Sequence, residues 1–127
     1  MVYAGLGVNF TDPKGPYDLS AYKGISFMAK SATGPLKVRL KVPDANTDPD
    51  AKVCSECFND FGADLDLTAD WQKFVIPFSE LAQLPGWGSP RPSGLERSKV
   101  FGIQWQVNTP GAAYDVWIDD VQLTGCQ

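Results

Sequence analysis

The sequence predicts an antiparallel β-sandwich. Three observations point there: short runs in which apolar and polar residues alternate, clusters of turn residues between those runs, and no long stretch with helical periodicity. The 127 residues match the size of one domain, and a hydrophobic content of 43% is enough for a single core. No internal repeat and no internal boundary interrupts the chain, so 1–127 reads as one module.

The elements follow in order. Val2–Phe10 (VYAGLGVNF) mixes glycine with Leu6, Val8 and Phe10 and reads as a strand with close backbone approach. A turn-rich segment follows it. Gly24–Lys30 sets Ile25, Phe27 and Ala29 against Ser26, Met28 and Lys30. Leu36–Val42 alternates most cleanly, with Leu36, Val38, Leu40 and Val42 against Lys37, Arg39 and Lys41. Asp44–Asn59 is a long polar loop that holds two cysteines. Ala63, Leu65 and Leu67 alternate with Asp64 and Asp66, and Trp71–Phe78 is a further strand with Trp71 on its buried side. Ser79–Leu84 predicts one helical turn capped by Ser79. Pro85–Pro92 is a loop with Trp87 at its tip, where it serves either as a ligand wall or as a plug on the end of the sandwich.

Val100–Val107 and Tyr114–Leu123 close the domain. Six residues including Pro110 and Gly111 separate them, so a hairpin is expected in which 107 faces 114 and opposed residues sum to 221. One face then buries Ile103, Trp105, Val107, Val116 and Ile118. The other carries Gln104 opposite Trp117 and Gln106 opposite Asp115. A slip of one residue would exchange Trp105 with the two glutamines. An indole beside amides and a carboxylate suits a sugar. The apolar C–H face of a pyranose packs on the ring for ~1.5–3 kcal/mol, while each amide offers a donor and an acceptor to vicinal hydroxyls. Arg39 joins this surface if its strand lies in the same sheet, and Met28 adds a soft apolar patch by the parity of its own strand. The competing reading is an ordinary solvated sheet face.

Composition excludes several classes. A net charge of −4 and a pI near 4.6 argue against nucleic acid and anionic membranes as partners. No run approaches the ~20 apolar residues of a membrane span. The chain has no histidine, so Ser-His-Asp and Cys-His catalysis cannot be built within it. Fifteen carboxylates leave a carboxylate-pair glycosidase chemically open, although the chain is small for the cleft that reaction needs. The cysteines are Cys54, Cys57 and Cys126. Three thiols without histidine fall short of a zinc site, and a disulfide clipping the loop at Cys54 and Cys57 is expected. It implies an extracellular setting. Cys126 is left over, and the chain reads as a module excised from a longer protein.

Asp18–Lys30 (DLSAYKGISFMAK), the W-x-x-F-x-I-x-F run Trp71–Phe78, Gly86–Gly88 (GWG) and Val116–Leu123 (VWIDDVQL) together resemble β-sandwich carbohydrate-binding modules. Such modules are appended to bacterial plant-polysaccharide hydrolases. The resemblance covers nearly the whole chain and implies a jelly-roll, galactose-binding-domain-like fold. It is closest to modules for β-1,4- and mixed-linked glucans and xyloglucan, of the type grouped as family 81. The chain departs from the general pattern in lacking an obvious first strand.

The resemblance also implies a structural calcium held by a carboxylate of the last strand, here Asp120 with Asp119. Asp120 shares parity with Ile118 and should point to the core side, where a carboxylate needs a partner. A second calcium candidate is Asp44, Asn46 and Asp48, with oxygen ligands at alternate positions. Pro49 replaces the turn glycine there and Ser55 the closing glutamate, so a solvated Asx-turn loop competes with it.

The function expected is non-catalytic binding of β-linked glucan chains by a monomeric module that targets a fused glycoside hydrolase. The alternative is an extracellular structural or protein-interaction β-sandwich.

Overall fold

A computed structural model describes residues 4–107 and 114–125. Among these residues seven strands form two antiparallel sheets: β1 (Ala4–Asn9), β2 (Gly24–Ser31), β3 (Leu36–Val42), β4 (Phe61–Leu67), β5 (Gln72–Pro77), β6 (Gly102–Val107) and β7 (Val116–Thr124). One sheet has the order β1-β6-β3-β4 and the other β5-β2-β7. The only helices among the described residues are single 3-10 turns at Pro49–Ala51, Phe78–Glu80 and Arg97–Lys99.

Alternation builds the core. Val38, Leu40 and Val42 of β3, Ile103, Trp105 and Val107 of β6, and Leu65 and Leu67 of β4 face inward from the larger sheet. Ile25, Phe27 and Ala29 of β2 answer from the smaller one. Phe27 joins the layers, stacking on Phe74 with ring centroids 5.5 Å apart and meeting Trp105 edge-on at 5.3 Å. Each such aromatic contact adds about 0.5–1.5 kcal/mol beyond area burial.

The expected hairpin does not form. β6 lies between β1 and β3, so both of its hydrogen-bonding edges are used within the larger sheet. β7 pairs with β2 in the other layer, with Trp117 opposite Lys30 rather than Gln104. The chain crosses between layers after β6, a connection common in sandwiches, and the residues of the proposed hairpin loop lie outside those described. The in-out parity of β6, and of β7 as far as Asp119, survives because it belongs to each strand and not to the pairing.

Two further expectations change. The register of β2 against β7 shifts between Ser26 and Met28, and Asp120 takes a positive φ of 52° there. This bulge inserts a residue and ends the alternation, so Asp120 is exposed and not on the core side. Trp71 precedes β5 and is 41% exposed rather than buried. The predicted helical turn is a 3-10 turn at Phe78–Glu80, with Pro77 and not Ser79 at its cap.

Candidate glycan-binding cleft

The outer face of the larger sheet carries the site. Two cross-strand rows form its floor: Gly5, Gln106, Arg39 and Asp64 in one, and Gly7, Gln104, Lys41 and Gly62 in the next. The cleft above them has a volume of about 970 Å³. Gly5 and Gly7 keep the β1 side low. A side chain on Gly5 would start 2.8 Å from the Trp105 carbonyl, and one on Gly7 would start 3.0 Å from Gln104 Cγ. Gln104 and Gln106 stand two residues apart on one strand, about 7 Å. Among the described residues neither side-chain amide is engaged by another protein group.

Two loops raise the opposite wall, from which Phe58, Leu84 and Trp87 line the cleft. Cys54 and Cys57 are disulfide-bonded, and the clipped loop pairs with the Trp87 loop. The Ser55 and Glu56 N–H groups donate to the Ser89 carbonyl at 3.0 and 3.3 Å, and the Ser89 N–H returns to the Glu56 carbonyl at 3.1 Å. The Gly88 N–H also donates to the Glu56 carboxylate. Gly86 and Gly88 both have positive φ and hold Trp87 between them at the turn. Phe58, at φ 75°, is 62% exposed.

Asn59, 2% exposed, fastens this wall to the sheet. Its Nδ2 donates to the carbonyls of Leu84 and Trp87, both at 2.8 Å. Its Oδ1 accepts from the Leu84 N–H at 2.9 Å, and its carbonyl accepts from Gln83 Nε2 at 2.9 Å. Arg91 donates to the same two carbonyls. Buried amides are satisfied in this way when they define a turn.

Charge on the floor is internally paired. Arg39 donates to Asp64 Oδ1 at 3.3 Å and to the Ala82 carbonyl at 2.7 Å. It is able to lie flat because Gly62 has no side chain; a Cβ there would sit 3.2 Å from the guanidinium carbon. Lys41 donates to the Phe58 carbonyl at 3.2 Å and meets Asp60 Oδ2 at 3.3 Å. Asp60 is 3% exposed, and its Oδ1 has no hydrogen-bond partner. Burial pushes the Asp60 carboxyl above the usual carboxylate range, and the Lys41 ammonium offsets part of that. The cleft therefore offers neutral amides and an apolar wall over internally paired charge, a set suited to hydroxyls and C–H faces rather than to an ion.

The model of carbohydrate binding domain 30 matches residues 3–125. The chain belongs to that family. It is a non-catalytic carbohydrate-binding module. The matching family is 30, and the number 81 suggested by the sequence motifs is not supported. Solved structures agree on the fold. A family 11 carbohydrate-binding module from Clostridium thermocellum, in complex with a β-1,3-1,4-mixed-linked tetrasaccharide, is 18% identical with a TM-score of 0.72; the match covers 98% of this chain and 69% of that one. The family 11 module of the cellulosomal cellulase Lic26A-Cel5E of the same organism is also 18% identical, at TM-score 0.65, over 98% and 68% of the two chains. An agarase, AgWH50C, matches at 10% identity and TM-score 0.61, over 97% of this chain and 20% of that one. At these identities the likeness establishes the sandwich alone. No curated protein matches the chain significantly.

Within this family 30 module the predicted site residues part into groups. Gln104, Gln106, Arg39 and Trp87 line one cleft. Trp117 and Met28 sit on the outer face of the other sheet. Asp115 lines a smaller pocket at the mouth between the sheets, with Leu6, Val107 and Tyr114. Sequence reasoning missed Phe58, Leu84, Lys41, Asn59 and Asp60. Phe58 and Asn59, directly after the clipped Cys57, carried the one usable signal.

The calcium candidates hydrogen-bond within the chain. Asp44 Oδ1 accepts from the Asn46 N–H at 2.9 Å and Oδ2 from the Glu96 N–H at 2.9 Å. Asp48 Oδ1 accepts from the Asp50 N–H at 2.9 Å, and Oδ2 lies 2.7 Å from the Lys14 ammonium. Asp119 Oδ1 accepts from the Asp120 N–H at 2.8 Å, out on the exposed bulge. Among the described residues no three carboxylate, thiol or imidazole groups converge, and the carboxylate oxygens just named are engaged by backbone N–H groups and the Lys14 ammonium. Cys126 lies outside the described residues.

Proposed function

We propose that the cleft binds a single β-linked glucan chain and tethers an appended glycoside hydrolase to its polysaccharide outside the cell. The observation that carries this reading is the pair of unengaged amides, Gln104 and Gln106, facing the Phe58–Leu84–Trp87 wall across a charge-neutralised floor. A pyranose stacks its C–H face on the wall and turns its hydroxyls to the amides. The binding of a mixed-linked tetrasaccharide by a module of like fold supports the choice of β-glucan, and the disulfide supports the extracellular setting. A shallow cleft gives dissociation constants in the micromolar to millimolar range, about −4 to −8 kcal/mol.

Affinity gel electrophoresis on mixed-linkage β-glucan, xyloglucan and hydroxyethylcellulose tests it. Retardation by at least one polymer is expected, with Trp87→Ala weakening it more than Gln104→Ala. Unchanged migration on all three would refute the reading.

A further inference from the structure

Trp71 and Trp117 lie on the side of the molecule opposite the cleft. β2 separates them, and Lys30 of β2 stands between, paired with Trp117 across the β2–β7 ladder. The Lys30 ammonium lies 5.0 Å from the Trp71 ring centroid and 5.3 Å from that of Trp117. One cation thus bridges the two indoles, each contact contributing about 0.5–1 kcal/mol at an exposed site. They remain 41% and 52% exposed, and they stand two strand spacings apart, about 10 Å. The next row along the face is Lys73, Met28 and Asp119, which sets an ammonium and a carboxylate beside the rings.

We propose that Trp71 and Trp117 form a second glycan-binding strip on the outer face of the three-stranded sheet, which takes a further β-linked glucan chain laid across the strands. The area favours this occupant over a protein. Rings that bury roughly 150–250 Å² each, exposed to the extent seen here, together with Val75 and Val121 at 57% and 43% exposure, offer an apolar area on the order of 300–400 Å². A stable protein interface needs about 800 Å² per partner. A chain of pyranoses needs only a C–H face on each indole and polar groups between, which Lys30, Lys73 and Asp119 supply. Nothing in the core requires two tryptophans at these exposed positions. The inference takes only the class of glycan from the reading of the cleft; the strip itself stands on its own geometry.

Two experiments separate the sites. In a Trp87→Ala/Gln104→Ala background, with the cleft disabled, ¹⁵N spectra are recorded while cellohexaose is added. The indole N–H signals of Trp71 and Trp117 should shift saturably while that of core Trp105 stays in place. Signals of Trp71 and Trp117 that do not move overturn the proposal. Separately, Trp71→Ala/Trp117→Ala with an intact cleft is run on mixed-linkage β-glucan gels. Loss of two-site engagement should weaken retardation by about tenfold, and Trp117→Tyr, which keeps a ring, should restore most of it when paired with native Trp71. Retardation equal to that of the unaltered protein counts against the strip. So does a dimer in sedimentation that the double variant abolishes, since that assigns the face to a second copy of the chain. Failure of the cleft reading registers elsewhere, as a cleft variant whose binding is unchanged.

Discussion

Asn59 exerts an influence on the cleft well beyond its size. A buried amide with both ends satisfied fixes the loop that carries Leu84 and Trp87. Asn59→Ala leaves the Leu84 N–H without its partner and the Leu84 and Trp87 carbonyls to Arg91 alone, and should lower unfolding free energy by about 1–3 kcal/mol, read by urea titration. Glucan affinity measured well below the new melting temperature should fall as well, because the wall loosens. Asp60 governs a pH dependence. Its folded carboxyl is held above the usual range, chiefly by burial, so the native state keeps this proton to a higher pH than the unfolded chain does. The stability it contributes is fully present below the ordinary carboxylate pKa and is lost as pH rises through the raised value. Urea melts across the mildly acidic range should therefore show a steeper fall with rising pH for the unaltered protein than for Asp60→Asn.

The wall is an assembly of irregular elements on a regular sheet. The Cys54–Cys57 clip closes a very short loop, and cross-links of that length stabilise by about 2 kcal/mol at most. Its larger effect is local, since the clipped segment pairs with Ser89 and leads directly into Phe58. Replacement of both cysteines by serine should cost little in melting temperature and more in glucan affinity by calorimetry. Affinity equal to that of the native protein would detach the disulfide from the site. Strand boundaries were legible because alternation is a property of each strand; Leu36–Val42 agrees at both ends. Strand pairing was not legible. β6 and β7 are neighbours in sequence, yet each satisfies its backbone with other strands. The bulge at Asp120 likewise has no composition cue, because aspartate there replaces the glycine that would have announced a positive φ.

At the scale of the whole molecule, one sandwich presents two chemically different outer faces. The floor of the cleft pairs its cations with Asp60 and Asp64, so its ligand meets little net charge. Glucan affinity should accordingly change by less than about twofold between roughly 0.05 and 0.5 M salt. A steep loss in the same titration would point to an anionic ligand.

The sequence by itself determined the sandwich class, the inward and outward residues of the strands wherever alternation is unbroken, the absence of histidine chemistry and the glutamines of the cleft. Those properties are local: they depend on alternation and composition, which a linear chain displays. Only the tertiary structure decided that Trp117 and Gln104 lie on opposite sides of the molecule, and that Phe58, Leu84 and Asn59 join Trp87 in a wall. The physical reason is that side-chain parity fixes which way a residue faces relative to its own sheet. Which sheet that is depends on backbone hydrogen bonds between strands distant in sequence.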